Sequence, residues 1–172
     1  MGIFNYCPDE VNVLVAGFVD IKGFVDGTFI DVTKDEAPFK SVRTADGTIG
    51  RMHNNSSVYT ITLTLHNGST SNDLLTKLWQ LDELSQMGKF PLLIKDHSGS
   101  DLLFSTESWI EGIPSLVKSG SVDSRVWVIK SANAQINIGN NSEPSGIVND
   151  IINIATSTLP GISGIFLGYM NG

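Results

Sequence analysis

The sequence is poor in the residues that staple small proteins or run their chemistry. Its 172 residues hold one cysteine, Cys7, so an internal disulfide or a multi-cysteine metal site is impossible. The three histidines, His53, His66 and His97, have none of the spacings of a helical or CxxC-type ligand set. Basic residues are scarce, with 11 Lys plus Arg against 18 Asp plus Glu and a formal charge of −7. A chain that grips phosphate needs a basic patch, so that class is disfavoured, although a surface past which nucleic acid slides is not. No apolar run approaches the roughly 20 residues of a membrane span. The first residues lack the basic region and apolar run of a secretory signal, which fits synthesis and assembly in a cytoplasm.

What is present is glycine, at 17 residues, together with Ser and Thr in alternating stretches. This composition favours a mainly β class over a helical bundle. The length suits one domain with its own core. The most ordered pattern runs from Ser57 to Gly88. Tyr59, Ile61, Leu63 and Leu65 alternate with Thr60, Thr62, Thr64 and His66, which predicts a strand with one buried face and one polar face. Asn67-Gly68 marks a turn. A helix over about 72–87 follows, with Thr70 or Ser71 as cap and Asp73 in its positive first turn. Its apolar stripe is Leu74, Leu75, Leu78, Trp79, Leu81 and Leu84, and Gly88 is expected to end it in a left-handed conformation.

Other strands are expected at Val11–Val15, at Phe18–Ile21 paired with Thr28–Val32 around Asp26-Gly27, and at Phe90–Lys95. Further strands follow at Leu102–Ile110, Arg125–Lys130 and Gln135–Ile138, about seven in all, with no repeat. Between Thr33 and Ser56 periodicity vanishes. So long a loop in a compact domain is usually functional, and Phe39, Val42, Ile49 and Met52 within it require a partner. It reads as an arm that orders against another subunit. Residues 1–139 form the β domain, and residues 140–172 form a linker, a helix over about 145–158 and an apolar tail. That helix carries Ile147, Val148, Ile151, Ile152, Ala155 and Leu159 in a stripe stopped by Pro160-Gly161.

No active site emerges. Asp96, His97 and Ser98 have the residue types of a hydrolytic triad, but immediate neighbours point apart and are better read as a turn. Gly47 to Arg51 lacks the Gly-Lys-Ser/Thr ending of a phosphate loop. Neither an enzyme, a cofactor nor a metal is expected.

An ordered set of segments resembles a known family. It comprises Gly23-Phe24-Val25-Asp26-Gly27-Thr28-Phe29-Ile30, Ala45-Asp46-Gly47 through Arg51, and the alternating strand running into Thr70-Ser71-Asn72-Asp73-Leu74-Leu75. Lys95-Asp96-His97-Ser98-Gly99 and Arg125-Val126-Trp127 complete it. Together, over about Tyr6 to Gly139, they resemble the tail tube proteins of contractile-tailed bacteriophages, which are related in fold to the tubes of type VI secretion systems and contractile bacteriocins. The resemblance implies a β-sandwich or half-barrel with one flanking helix, located in the virion tail. Six copies would form a ring, and stacked rings would close a continuous β-barrel through which DNA passes without specific binding. Implied partners are a sheath protein outside the tube and baseplate or tape-measure proteins, with no membrane.

On that reading Thr60, Thr62 and Thr64 face the lumen, with Asp31 or Lys34 beside them on the paired strand. Phe39, Val42, Ile49, Arg51 and Met52 are the inter-subunit or inter-ring candidates, and Leu74, Leu78, Trp79 and Leu81 belong to the core. The alternatives are solvent exposure of the Thr face on a monomer and packing of the arm on its own domain. At the level of function they are another tail component, such as a terminator or adaptor ring, and a soluble β-sandwich binding module.

Overall fold

The computed structural model describes residues 7–139. The helix expected over about 145–158, and the rest of residues 140–172, lie outside the described residues. After one short 3-10 turn at Pro8–Glu10, ten strands and one helix follow. They are β1 (Val11–Val15), β2 (Val19–Asp20), β3 (Ile30–Lys34), β4 (Phe39–Arg43), β5 (Ile49–His53) and β6 (Tyr59–His66). Then come α1 (Ser71–Ser85), β7 (Phe90–Asp96), β8 (Leu102–Gly112), β9 (Ser124–Ala132) and β10 (Gln135–Asn137). The mainly β class with one flanking helix is as the sequence indicates.

The sheet runs β2-β1-β7-β8-β9-β6-β3, all antiparallel, and β10 joins β8. The long strand β8 makes it a sandwich. Its first half lies between β7 and β10, with Leu103 opposite both Ile94 and Ile136. Its second half pairs with β9, with Ile110 opposite Ile129. An irregularity between these halves leaves an extra residue on β8, which bends the strand from one layer into the other. Ser105 and Ser108, on either side of it, are fully buried. Ser108 bonds the Ser131 hydroxyl at 2.7 Å, and Ser105 donates to the Ala132 carbonyl at 2.9 Å, so the small polar residues at the bend are satisfied.

Inward residues of both layers form one core, including Val13, Val15, Ile61, Leu63, Leu65, Leu92, Trp127 and Ile129. The opposite side of the sandwich is closed by the chain between β2 and β3. Ile21 donates its amide to Val13 at 2.8 Å, and Gly23 accepts the His66 amide at 2.9 Å. The segments expected to pair around Asp26-Gly27 therefore do not pair with each other. One joins β1 and the other joins β6, because the chain has already crossed between layers at Lys22–Gly23, ahead of the turn, and Phe24 bridges to Leu65 of β6. Gly23 has φ +81°, and a Cβ there would lie 2.7 Å from that of Ser69, so only glycine fits the crossing.

The helix begins beside this crossing. Thr70 is its N-cap residue but makes no side-chain cap. Instead the Ser69 hydroxyl accepts the Ser71 amide at 3.2 Å, and Ser71 Oγ accepts the Lys22 amide at 2.9 Å. Asn72 is the central fastener. Its amide nitrogen donates to the His66 and Ser69 carbonyls, and its oxygen accepts the buried Trp127 indole N–H at 2.9 Å. Leu75 is fully buried, and Leu74, Leu78 and Trp79 pack on the core.

Leu81, expected in the core, is 48% exposed. At about 100° per residue it and Leu84 lie roughly 120° and 180° round the helix from Leu75. The buried stripe stops at Asp82, whose carboxylate accepts the Gly88 amide at 3.0 Å. The left-handed C-cap is Gln86, not Gly88. Gly88 is needed because an added Cβ would sit 2.3 Å from that of Asp82.

Asn72→Ala strands the Trp127 N–H, and an unpaired buried donor costs about 1–3 kcal/mol. Urea unfolding should show a loss of that size with Asn72→Ala. A loss no larger than that of the exposed change Lys77→Ala would overturn the fastener.

Candidate assembly surfaces

Two surfaces stand out as candidates for assembly. The first is the outer face of the layer β3-β6-β9-β8. Alternation in β6 sends Ile61, Leu63 and Leu65 into the core and leaves Thr60, Thr62 and Thr64 half-buried on the reverse. Register then assembles rows across the strands. Asp31 stands opposite Thr62, which faces Val128, and Thr33 stands opposite Thr60, which faces Lys130. Asp31 thus shares the threonine face. Lys34 does not: it pairs with Tyr59 and places its ammonium 5.5 Å from that ring, on the opposite face. The period of two that puts Asp31 on the polar face excludes Lys34 from it.

The lysine on this face is Lys130. Its Nζ donates to Asp35 Oδ2 and Thr60 Oγ1, both at 2.6 Å, and lies 3.7 Å from Glu111. The Thr60 hydroxyl also donates to Asp35. These bonds hold the Asp35 carboxyl below the usual range and raise Lys130 above its own, Asp35 being the main cause. Lys130 was legible, since it alternates with buried Trp127 and Ile129. Its pairing with Asp35, 95 residues away, was not.

The second surface is the arm, which is more regular than its sequence suggests. It is a hairpin of β4 and β5, and the two pair with no other strand among the described residues. The five-residue connection is organised by Asp46, which accepts the Thr48 amide and the Thr44 hydroxyl. Phe39, Arg43, Ile49 and Arg51 lie on one face, and Lys40, Val42 and Met52 on the other. Arg51 stacks 3.4 Å over the Phe39 ring, which lies 5.1 Å from that of His53. Ile49 is 73% and Met52 60% exposed, and Phe39 and Val42 are also exposed. Among the described residues nothing covers these side chains. A lone two-stranded hairpin is marginally stable in water, so one with apolar side chains on both faces is suited to being enclosed.

Catalytic geometry does not form at Asp96, His97 and Ser98. The Asp96 carboxylate accepts both the amide and the hydroxyl of Ser98, at 2.8 and 2.6 Å, which is a side-chain-closed turn. Among the described residues no group of three or more His, Cys, Asp or Glu could hold a metal, and no helix is long and apolar enough to cross a membrane. Burial lowers the pKa of Lys95, whose ammonium donates to the Gly99 carbonyl at 3.0 Å. That contact braces the same turn.

No family model matches the chain. Structural protein ORF10 of Pseudomonas phage KPP10 is 32% identical over 155 residues, which span 86% of this chain and 90% of that protein. Among solved structures, the tube-terminating cap of the anti-feeding prophage aligns with a TM-score of 0.55 at 14% identity, over 80% of this chain and 93% of the cap chain. The sheath–tube complex of the extracellular contractile injection system PVC contributes a chain with a TM-score of 0.51 at 16% identity, covering 78% of this chain and 92% of that one. A chain from the native gene transfer agent virion gives 0.50 at 13%, covering 78% and 100%. At these identities the likeness is one of fold.

The Asp35–Lys130 pair gives a pH test. Asp35 titrates lower when folded, so its contribution is complete above about pH 4 and lost as pH falls through its depressed value. Lys130 titrates higher when folded, so its contribution is complete below about pH 10 and lost as pH rises through its raised value. Lys130→Met should flatten the stability profile at both ends, read as melting temperature against pH. An unchanged profile would mean that the pair forms no stabilising contact.

Proposed function

This chain belongs to the family of phage structural proteins that includes ORF10 of phage KPP10, and from that premise we propose that it is the repeating subunit of a phage tail tube. As a member of that family it is a virion component and not an enzyme. In the proposed assembly copies form a sixfold ring, rings stack, and DNA passes through the lumen during ejection without specific binding.

The layer β3-β6-β9-β8 carries this reading. Among the described residues, β3 has no strand partner beyond β6, and Trp109–Gly112 of β8 have none beyond β9. Three antiparallel pairings separate these two edges, so β3 and β8 run in opposite directions. The β3 edge of one copy can therefore meet the β8 edge of the next and continue the antiparallel order. Repetition about an axis closes a barrel and leaves no open edge, which removes the hazard of exposed strands. The outer face of this layer then becomes the inner wall. It offers Thr60, Thr62 and Thr64 with Asp31, Asp35 and Glu111 against Lys130, a hydrated and mildly acidic surface. Such a wall lets the phosphate backbone pass, whereas a basic one would hold it.

The helix packs on the core side of these strands, away from that wall. Leu81, Leu84 and Met87, exposed at its end, are then available to a sheath protein. The arm, with Phe39, Val42, Ile49, Arg51 and Met52, reaches a neighbouring subunit or ring, and baseplate or tape-measure proteins meet the ends. A tube-terminating ring is the second reading, favoured by the fold shared with the anti-feeding prophage cap. The two differ in whether rings stack.

Negative-stain electron microscopy across a concentration series separates them. Stacked hollow tubes with sixfold end views are expected of the subunit, and single closed rings of the terminator. A monomer that also fails to extend a tail baseplate complex would overturn both. Ile49→Asp with Met52→Asp should abolish assembly while leaving the far-UV circular dichroism unchanged. Tubes that persist in this variant would remove the arm from the interface.

A further inference from the structure

The arm requires a receptor, and its chemistry describes one. Residues 39–53 hold three of the chain's 11 basic residues, Lys40, Arg43 and Arg51, against one of its 18 acids, Asp46. The arm is thus a basic and apolar projection from an acidic molecule. Its complement lies at the open end of the sandwich, where β3 faces β10 and the start of β1. A cleft of about 480 Å³ there is lined by Ile30, Ile94 and Ile136, with Asp96 and Asp101 as its carboxylates. Ile138, 81% exposed, also lines it. A second hollow of about 570 Å³ shares Val11, Gly27 and Phe29 with the first, and adds Asp9, Asp20 and Asp26. Its one base, Lys22, is 3.5 Å from Asp20. Together they form an apolar groove edged with carboxylates.

We propose that this groove receives the arm of a second copy of the chain. The arm face that carries Arg43, Ile49 and Arg51 turns inward, Ile49 enters between Ile30 and Ile136, and Arg43 meets Asp101 at the rim. The occupant is another copy because this arm stands exposed on both faces beside its own domain. An arm on one copy and a groove on the next make a head-to-tail contact, which generates a ring or a stack as its rotation closes or does not. Apolar insertion supplies the attraction, while opposite charges fix the register and speed the encounter. The inference rests on the tube reading and names the receptor that the reading leaves open.

The test is cross-linking of the full chain with Cys7→Ser as background. Protein with Ile49→Cys is mixed with protein carrying Ile138→Cys, assembled, and treated with a short bismaleimide. A covalent heterodimer is expected, together with its absence when Leu84→Cys on the helix replaces the groove cysteine. A second arm uses charge: Arg43→Asp or Asp101→Arg alone should lower the assembled fraction by about tenfold, and mixing the two variants should restore contacts between them. Assembled particles with no Ile49–Ile138 product and no charge rescue would overturn the groove while leaving the tube reading intact. A chain that forms neither rings nor tubes would overturn the tube reading, and this receptor with it.

Discussion

The fold depends on one buried amide. Asn72 ties the exit of β6, the start of the helix and the middle of β9 together, donating to the His66 and Ser69 carbonyls and accepting from the buried Trp127 indole. Trp127 carries an indole N–H into the core, and that donor has to be satisfied there. Meeting the need at the first turn of the helix fixes where Leu75, Leu78 and Trp79 enter. Those side chains then cover the core from its inner side, and the reverse of β6 and β9 is left uncovered. The polar face of β6 is thus a consequence of where the helix is pinned.

The same economy explains the open edges. The two layers of this sandwich are joined at two places. Here β8 makes one joint through its bend, and the Gly23 crossing makes the other. The edge of β3 and the last residues of β8 remain without strand partners among the described residues. In a solitary protein such edges are a liability; in an assembling one they are the means of growth. The arm resembles these edges in leaving Phe39, Val42, Ile49 and Met52 exposed among the described residues.

Much of this was legible beforehand. The period of two in Tyr59–His66 gave the buried and polar faces of β6 correctly, because alternation is a property of extended backbone. The exposed apolar residues of the arm were legible as a conflict between composition and location. Three readings failed for identifiable reasons. The chain does bend at Asp26-Gly27, but both sides of the bend lie along β6, and local sequence does not say whether a bend closes a hairpin or continues along a third strand. Lys34, three residues from Asp31, falls on the opposite face of β3 from the threonines. Leu81 is apolar but lies about 120° round the helix from Leu75, off the buried stripe.

Local features follow from the sequence alone: strand faces, the helix after β6, turn positions, and the scarcity of thiols and bases. These follow from backbone periodicity and composition, which neighbouring residues fix together. The tertiary structure decided what joins residues far apart in the chain. Asp35 found Lys130, Asn72 found Trp127, and the arm emerged as a hairpin with a basic face opposite in charge to the groove. Those pairings depend on register and on the crossing of layers, and both are set by packing across the whole domain.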